Sequence, residues 1–97
     1  MTSAADREYT ASTPDETVWV RVSALGQVLG VQLEPPVMEL RGHEIAARIQ
    51  ACADVAYLEG QVALRGEFEQ AGPAGEGRAW MPTQDDLDQA RARLRNL

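Results

Sequence analysis

The chain has little of what most binding and catalytic chemistry requires. It contains one Cys and one His in 97 residues. A single Cys allows no internal disulfide and no Cys-based zinc site. It contains no Lys, and its nine basic residues, all Arg, face 15 acidic ones for a net charge of −6. That is the wrong sign for a surface that grips phosphates throughout, and it excludes a polybasic membrane anchor. No apolar run reaches the roughly 18 residues of a membrane-spanning helix. The first 13 residues hold no apolar stretch of the kind a secretory signal carries. A lone Cys without such a signal is the usage of a reducing cytosol, so a cytoplasmic location is expected.

Length bounds the rest. After a polar start and a Gly/Pro-rich stretch are set aside, roughly 70 residues remain for a core, and a fold of that size buries only about 60% of its unfolded surface. With no disulfide or metal to reinforce it, such a domain is expected to associate with a partner.

Period-2 alternation is the clearest pattern. Val18, Val20 and Val22 alternate with Trp19, Arg21 and Ser23, and Leu29, Val31 and Leu33 alternate with Val28, Gly30 and Gln32. Both runs read as half-buried strands with their aliphatic rows turned inward. Ala24-Leu25-Gly26-Gln27 between them has hairpin length, and Gly26 supplies a residue for positive φ. Glu34-Pro35-Pro36 ends the second strand, since Pro donates no ladder hydrogen bond. Residues 8–12 suit a short edge strand, and residues 1–7 are expected to be disordered.

Residues 43–70 read as one long helix closed by Gly72-Pro73. Ile45, Ile49, Cys52, Ala56 and Ala63 form one apolar stripe, widened by Ala53, Tyr57, Leu64 and Phe68. Val55, Leu58 and Val62 form a second stripe on another face. One helix with two apolar faces exceeds what a small hairpin covers, which predicts an intermolecular contact through Val55, Leu58 and Val62. Gly60, with its neighbouring alanines, forms a small-residue strip open to a second helix. Residues 72–82 read as a loop. A C-terminal helix of about 83–96 follows, capped by Thr83 with Asp86 three residues on.

The expected architecture is therefore α+β. A hairpin at 17–33 and an edge strand at 8–12 form a small antiparallel sheet packed on helix 43–70, with a helical extension at 83–97.

Catalytic constellations are sparse. Cys52 lies about 13 Å along the helix from His43, so the two cannot act together. Asp85, Asp86 and Asp88 lack the Gly and Glu positions of a calcium loop and suit the positive end of a helix. Gly72, Gly75 and Gly77 are not followed by the Lys and Ser/Thr of a phosphate loop. No catalytic residue, metal site or cofactor is expected. Trp19 and Arg21 share the outer face of the hairpin, where packing on a neighbouring chain or helix is expected, so they join Val55, Leu58 and Val62 as interface residues. Stacking on a base is the alternative use of that face. For nucleic acid, Arg91, Arg93 and Arg95 are the densest basic cluster and would act with Arg21. Spacing of two residues splays those three arginines around a helix.

Thr17-Val-Trp-Val-Arg-Val-Ser-Ala-Leu-Gly-Gln-Val-Leu-Gly-Val-Gln-Leu-Glu-Pro, followed by an Ala-rich helix, resembles the central hairpin and helix of the YbaB/EbfC family over about residues 8–70. That resemblance implies a sheet-mediated dimer and, for some members, nucleoid-associated DNA binding. The chain departs from the family pattern in lacking a long N-terminal helix and lysine-rich character, and in carrying a C-terminal extension. Glu16-Thr-Val-Trp-Val-Arg-Val, Ala53-Asp54-Val55-Ala56 and Pro82-Thr83-Gln84-Asp85-Asp86-Leu87 are similar to small actinobacterial proteins encoded with type VII (ESX) secretion systems, of the EspL, EspD and EspH kind. The all-Arg composition suits such a GC-rich source. This similarity implies a cytosolic, non-enzymatic, chaperone-like helper. Its partners would be itself, a related small protein or a secretion substrate. Secretion substrates carry W-x-G and Y-x-x-x-[DE], whereas Trp19 and Trp80 are not followed by x-Gly, and Tyr9 and Tyr57 are followed four residues on by Thr13 and Gln61.

Overall fold

The computed structural model describes residues 3–71 and 80–97. Three antiparallel strands, β1 (Glu8–Ser12), β2 (Val18–Ser23) and β3 (Val28–Leu33), lie side by side in chain order. Helix α1 (Gly42–Ala71) crosses one face of this sheet, and helix α2 (Gln84–Arg95) packs on α1. The α+β architecture expected from the sequence is the one observed, the edge strand at 8–12 included.

Local chemistry accounts for the elements. In the hairpin, Gly26 donates its N–H to Ser23 O at 2.9 Å and takes φ 89, a value a glycine adopts without steric cost. The turn between β1 and β2 closes on Asp15. Its carboxylate accepts from the Thr13 hydroxyl at 2.7 Å and from the Thr17 hydroxyl at 2.8 Å, which holds its pKa below the ordinary carboxylate value. After Glu34, Pro35–Glu39 form a 3-10 turn that sends Val37 into the core. Thr83 caps α2: its hydroxyl accepts from the Asp86 N–H, while the Asp86 carboxylate accepts from the Thr83 N–H at 2.8 Å. This reciprocal pair is the predicted capping box.

The N-terminus departs from expectation. Residues 1–2 lie outside the described residues, but Ala4–Asp6 form a 3-10 turn with Ala4 fully buried. Its N–H donates to Glu67 Oε2 at 2.6 Å, and its carbonyl accepts from the Tyr9 hydroxyl at 2.9 Å. The disorder expected for residues 1–7 does not hold for Ala4–Asp6: partners in β1 and α1 hold this turn. Of the loop expected at 72–82, residues 72–79 lie outside the described residues.

The core also departs from expectation on one strand. Val18, Val20 and Val22 are buried against α1 with Cys52 and Ala56. Val31 and Leu33, paired with Val20 and Val18, lie on the same sheet face but stay exposed, as do Val28 and Leu29. The inward row predicted for Leu29, Val31 and Leu33 is thus not buried. A helix is about 10 Å across and strands sit about 4.8 Å apart, so one helix covers two strands. Here α1 sits over β1 and β2. A register shift between Arg21 and Val22 brings Val28, not Leu29, opposite Val22.

Candidate interaction surface

Beneath α2, α1 buries the face predicted to be open. Val55 is only 3% exposed and belongs to the core with Leu87, Ala90 and Leu94 of α2, while Leu58 and Val62 pack half-buried against it. The sequence shows the second stripe correctly, but its cover comes from the chain itself. Val55, Leu58 and Val62 are therefore not a free interface in this structure.

The unpartnered apolar surface lies instead on β3. As the last strand of the sheet it has one side unpaired, and its six residues, Val-Leu-Gly-Val-Gln-Leu, carry no charge. Val28, Leu29, Val31 and Leu33 are all more than a third exposed. Edge strands are usually protected by charge, Pro, a bulge or a covering element; β3 carries a register shift at Leu29 but no charge and no Pro.

The other face of the sheet holds Trp19 and Arg21, as the alternation predicts. Trp19 pairs with Ser12 and Gln32, and Arg21 with Thr10 and Gly30. They line a shallow groove of about 340 Å³ together with Thr10, Gly30 and Gln32. Both are engaged: Trp19 Nε1 donates to Glu16 O at 2.9 Å, and the Arg21 guanidinium lies 3.5 Å from the Glu8 carboxylate. The C-terminal arginines do not converge with them. Arg91 and Arg95 border a groove beside Ser12 and Thr13, whereas Arg93 borders another beside Ala47. Arg91 also pairs with Glu59 at 3.5 Å. The structure distributes the four arginines over three separate surfaces.

Cys52 and His43 are likewise apart in environment. His43 is exposed at the start of α1, and Cys52 is wholly buried under β2. The Cys52 thiol points to the Val18 carbonyl at 3.8 Å, and burial pushes its pKa up to about 11 from 9.0. A buried thiol held protonated is inert as a nucleophile. Ellman's reagent at pH 8 is expected to leave native Cys52 unmodified and to react fully in denaturant. Because the folded-state value is the higher one, the unfolded chain loses its thiol proton first. Stability is therefore whole below pH 9 and declines as pH rises toward 11. At about 1.4 kcal/mol per pKa unit the loss is roughly 2–3 kcal/mol. Urea titrations at pH 8 and pH 11, with Cys52→Ala as reference, measure it.

Fold and surface together define a small two-layer α+β protein whose sheet ends on one side in the uncharged strand β3. No helix among the described residues is long and apolar enough to cross a membrane. The chain belongs to the family described as protein of unknown function DUF2694, which it matches over residues 1–97. No curated protein and no solved structure matches it.

Proposed function

We propose that this chain is a non-enzymatic protein–protein interaction module that adds a partner strand to β3. The observation that carries this reading is the uncharged, unpaired edge of β3 with its exposed apolar row. Strand addition satisfies the free backbone groups, and the alternate apolar side chains select the partner. The first partner is a second copy. Two uncharged strands pair without opposing like charges, despite the net charge of −6 on each chain. The sequence resemblance to type VII secretion-associated proteins supports a cytoplasmic, chaperone-like role, with a related small protein or a secretion substrate as the alternative occupant of the same edge.

Light scattering across a concentration series tests the reading. The wild-type chain is expected to reach twice the monomer mass, and Val31→Asp to remain a folded monomer. A wild-type chain that stays monomeric at millimolar concentration overturns self-pairing. Nucleoid-type DNA binding through Arg21, Arg91, Arg93 and Arg95 draws no support from their separation. A steeply salt-dependent shift of duplex DNA at about 50 mM salt would restore it.

A further inference from the structure

The backbone of β3 limits how a second copy can pair with it. In an antiparallel ladder, alternate residues turn both N–H and C=O to the same neighbouring strand. The Glu34 N–H donates to Thr17 O at 2.8 Å, so Glu34 is turned toward β2. By the same alternation Gln32 and Gly30, opposite Trp19 and Arg21, are turned toward β2 as well. At the other end of the strand the Gln27 carbonyl accepts from the Ser23 N–H at 2.9 Å. Val31 and Leu33 therefore present their backbone groups to the free side. Leu29 joins them, because the register passes from Gly30 to Val28 and leaves Leu29 without a partner on β2.

These three residues are also exposed aliphatic ones. One two-fold axis lets them meet one another. An axis at Gly30 sets Leu33 against Gln27 of the partner subunit, whose carbonyl is turned to Ser23, and an axis at Leu29 does the same to Val31. An axis at Gln32 sets Leu29 against Pro35 of the partner subunit, and an axis at Leu33 does so to Val31; Pro has no N–H to donate. An axis at Val31 avoids both ends. Val31 then faces Val31 of the partner subunit, and Leu29 faces Leu33 of the partner subunit.

Charge and space agree with that axis. Glu34 falls opposite Val28 of the partner subunit, so the two acidic strand ends lie apart. Gly30 falls opposite Gln32 of the partner subunit. A Cβ added at Gly30 would lie 3.6 Å from Arg21 Nη2, so the Arg21 guanidinium reaches over Gly30 and meets the incoming amide. The second copy thus adds a side chain to the groove lined by Trp19, Arg21 and Gly30.

We propose that two copies pair antiparallel through β3 about a two-fold axis at Val31, joining their sheets into one and setting Gln32 of each beside Arg21 and Gly30 of the other. This register rests on the reading of β3 as a self-pairing edge.

Three full-length variants, Val31→Cys, Gly30→Cys and Gln32→Cys, test it under mild oxidation on non-reducing gels. Cys52 is buried, so each chain offers one reactive thiol. Residues directly opposite lie about 4.5–5.5 Å apart between Cα atoms, within disulfide reach, whereas diagonal neighbours at roughly 7–8 Å are beyond it. Val31→Cys is expected to form a covalent dimer alone. Gly30→Cys and Gln32→Cys are expected to cross-link when mixed, at least tenfold more than either does alone. Efficient cross-linking of Gly30→Cys alone moves the axis to Gly30, and of Gln32→Cys alone to Gln32; either result overturns the register while leaving strand addition standing. Cross-linking of all three alone indicates parallel pairing and overturns it as well. A wild-type dimer in light scattering with no cross-link in any variant overturns pairing through β3. A wild-type monomer at millimolar concentration overturns self-pairing itself and the register with it.

Discussion

Val20→Asp is expected to leave no cooperative unfolding transition in circular dichroism at 25 °C, whereas Val31→Asp keeps the wild-type midpoint nearly unchanged when both are measured on monomeric protein. The two valines face each other across β2 and β3 and share one sheet face. Val20 is 1% exposed and Val31 is 45% exposed. At Val20 the substitution removes about 1.5–3 kcal/mol of side-chain burial. It also places a carboxylate where the surroundings, Val18, Val22, Ala11 and Ala56, are apolar. An unpaired buried charge costs several kcal/mol more, or the group protonates and costs the equivalent in pKa shift. A domain of this kind has about 5–15 kcal/mol in total, and one this small lies toward the lower end. At Val31 the new carboxylate reaches water, and surface changes of that sort stay within about 0.5 kcal/mol. Loss of folding in both variants would mean that β3 is covered in the isolated subunit.

The second large effect is expected at Gly60. A Cβ built there lies 3.0 Å from both Cδ2 and Cε2 of the Tyr9 ring. The ring has little freedom to retreat. Its hydroxyl donates to Ala4 O at 2.9 Å, and the Arg7 guanidinium lies 6.0 Å from its centroid. Gly60→Leu therefore drives β1 from α1 and loosens the N-terminal turn, whose Ala4 N–H is held by Glu67. Overpacking of this kind costs about 1–3 kcal/mol, and loss of the turn adds to it. Gly66→Ala provides the control. It lies in the same helix, and no described atom comes within 4 Å of its added Cβ. Removing a helical glycine there is expected to stabilise by about 0.5–1 kcal/mol. Urea midpoints for the two variants should move in opposite directions. A Gly60→Leu midpoint at or above wild type would show that Tyr9 does not pack as described.

Gly60 also shows how sequence reading stops short. A glycine among alanines on a long helix marks a close approach, and a close approach exists. The visitor is an aromatic ring from β1 instead of a second helix. Composition at the site identifies the space, but not what enters it. The same holds for the second stripe. Val55, Leu58 and Val62 signal a face that must be covered, and they are covered, by Leu87, Ala90 and Leu94. The candidate interface therefore moves from α1 to β3. An exposed apolar residue on the expected inner row, such as Val31, is indistinguishable by pattern from a buried one such as Val20.

By itself the sequence determined what depends on neighbours within a few residues. It specified the alternation of β2 and β3, the glycine turn between them, the proline stop after Leu33, the extent of α1 and the Thr83–Asp86 cap. Each rests on backbone sterics or a hydrogen bond between residues no more than about four apart. Only the tertiary structure decided which apolar rows find cover. A helix has a fixed width, it centred on β1 and β2, and the C-terminal helix took the other side. Cover is a property of packed bodies, not of periodicity, so the bare edge of β3 and the burial of Ala4 against Glu67, 63 residues away, appear only once the chain is folded.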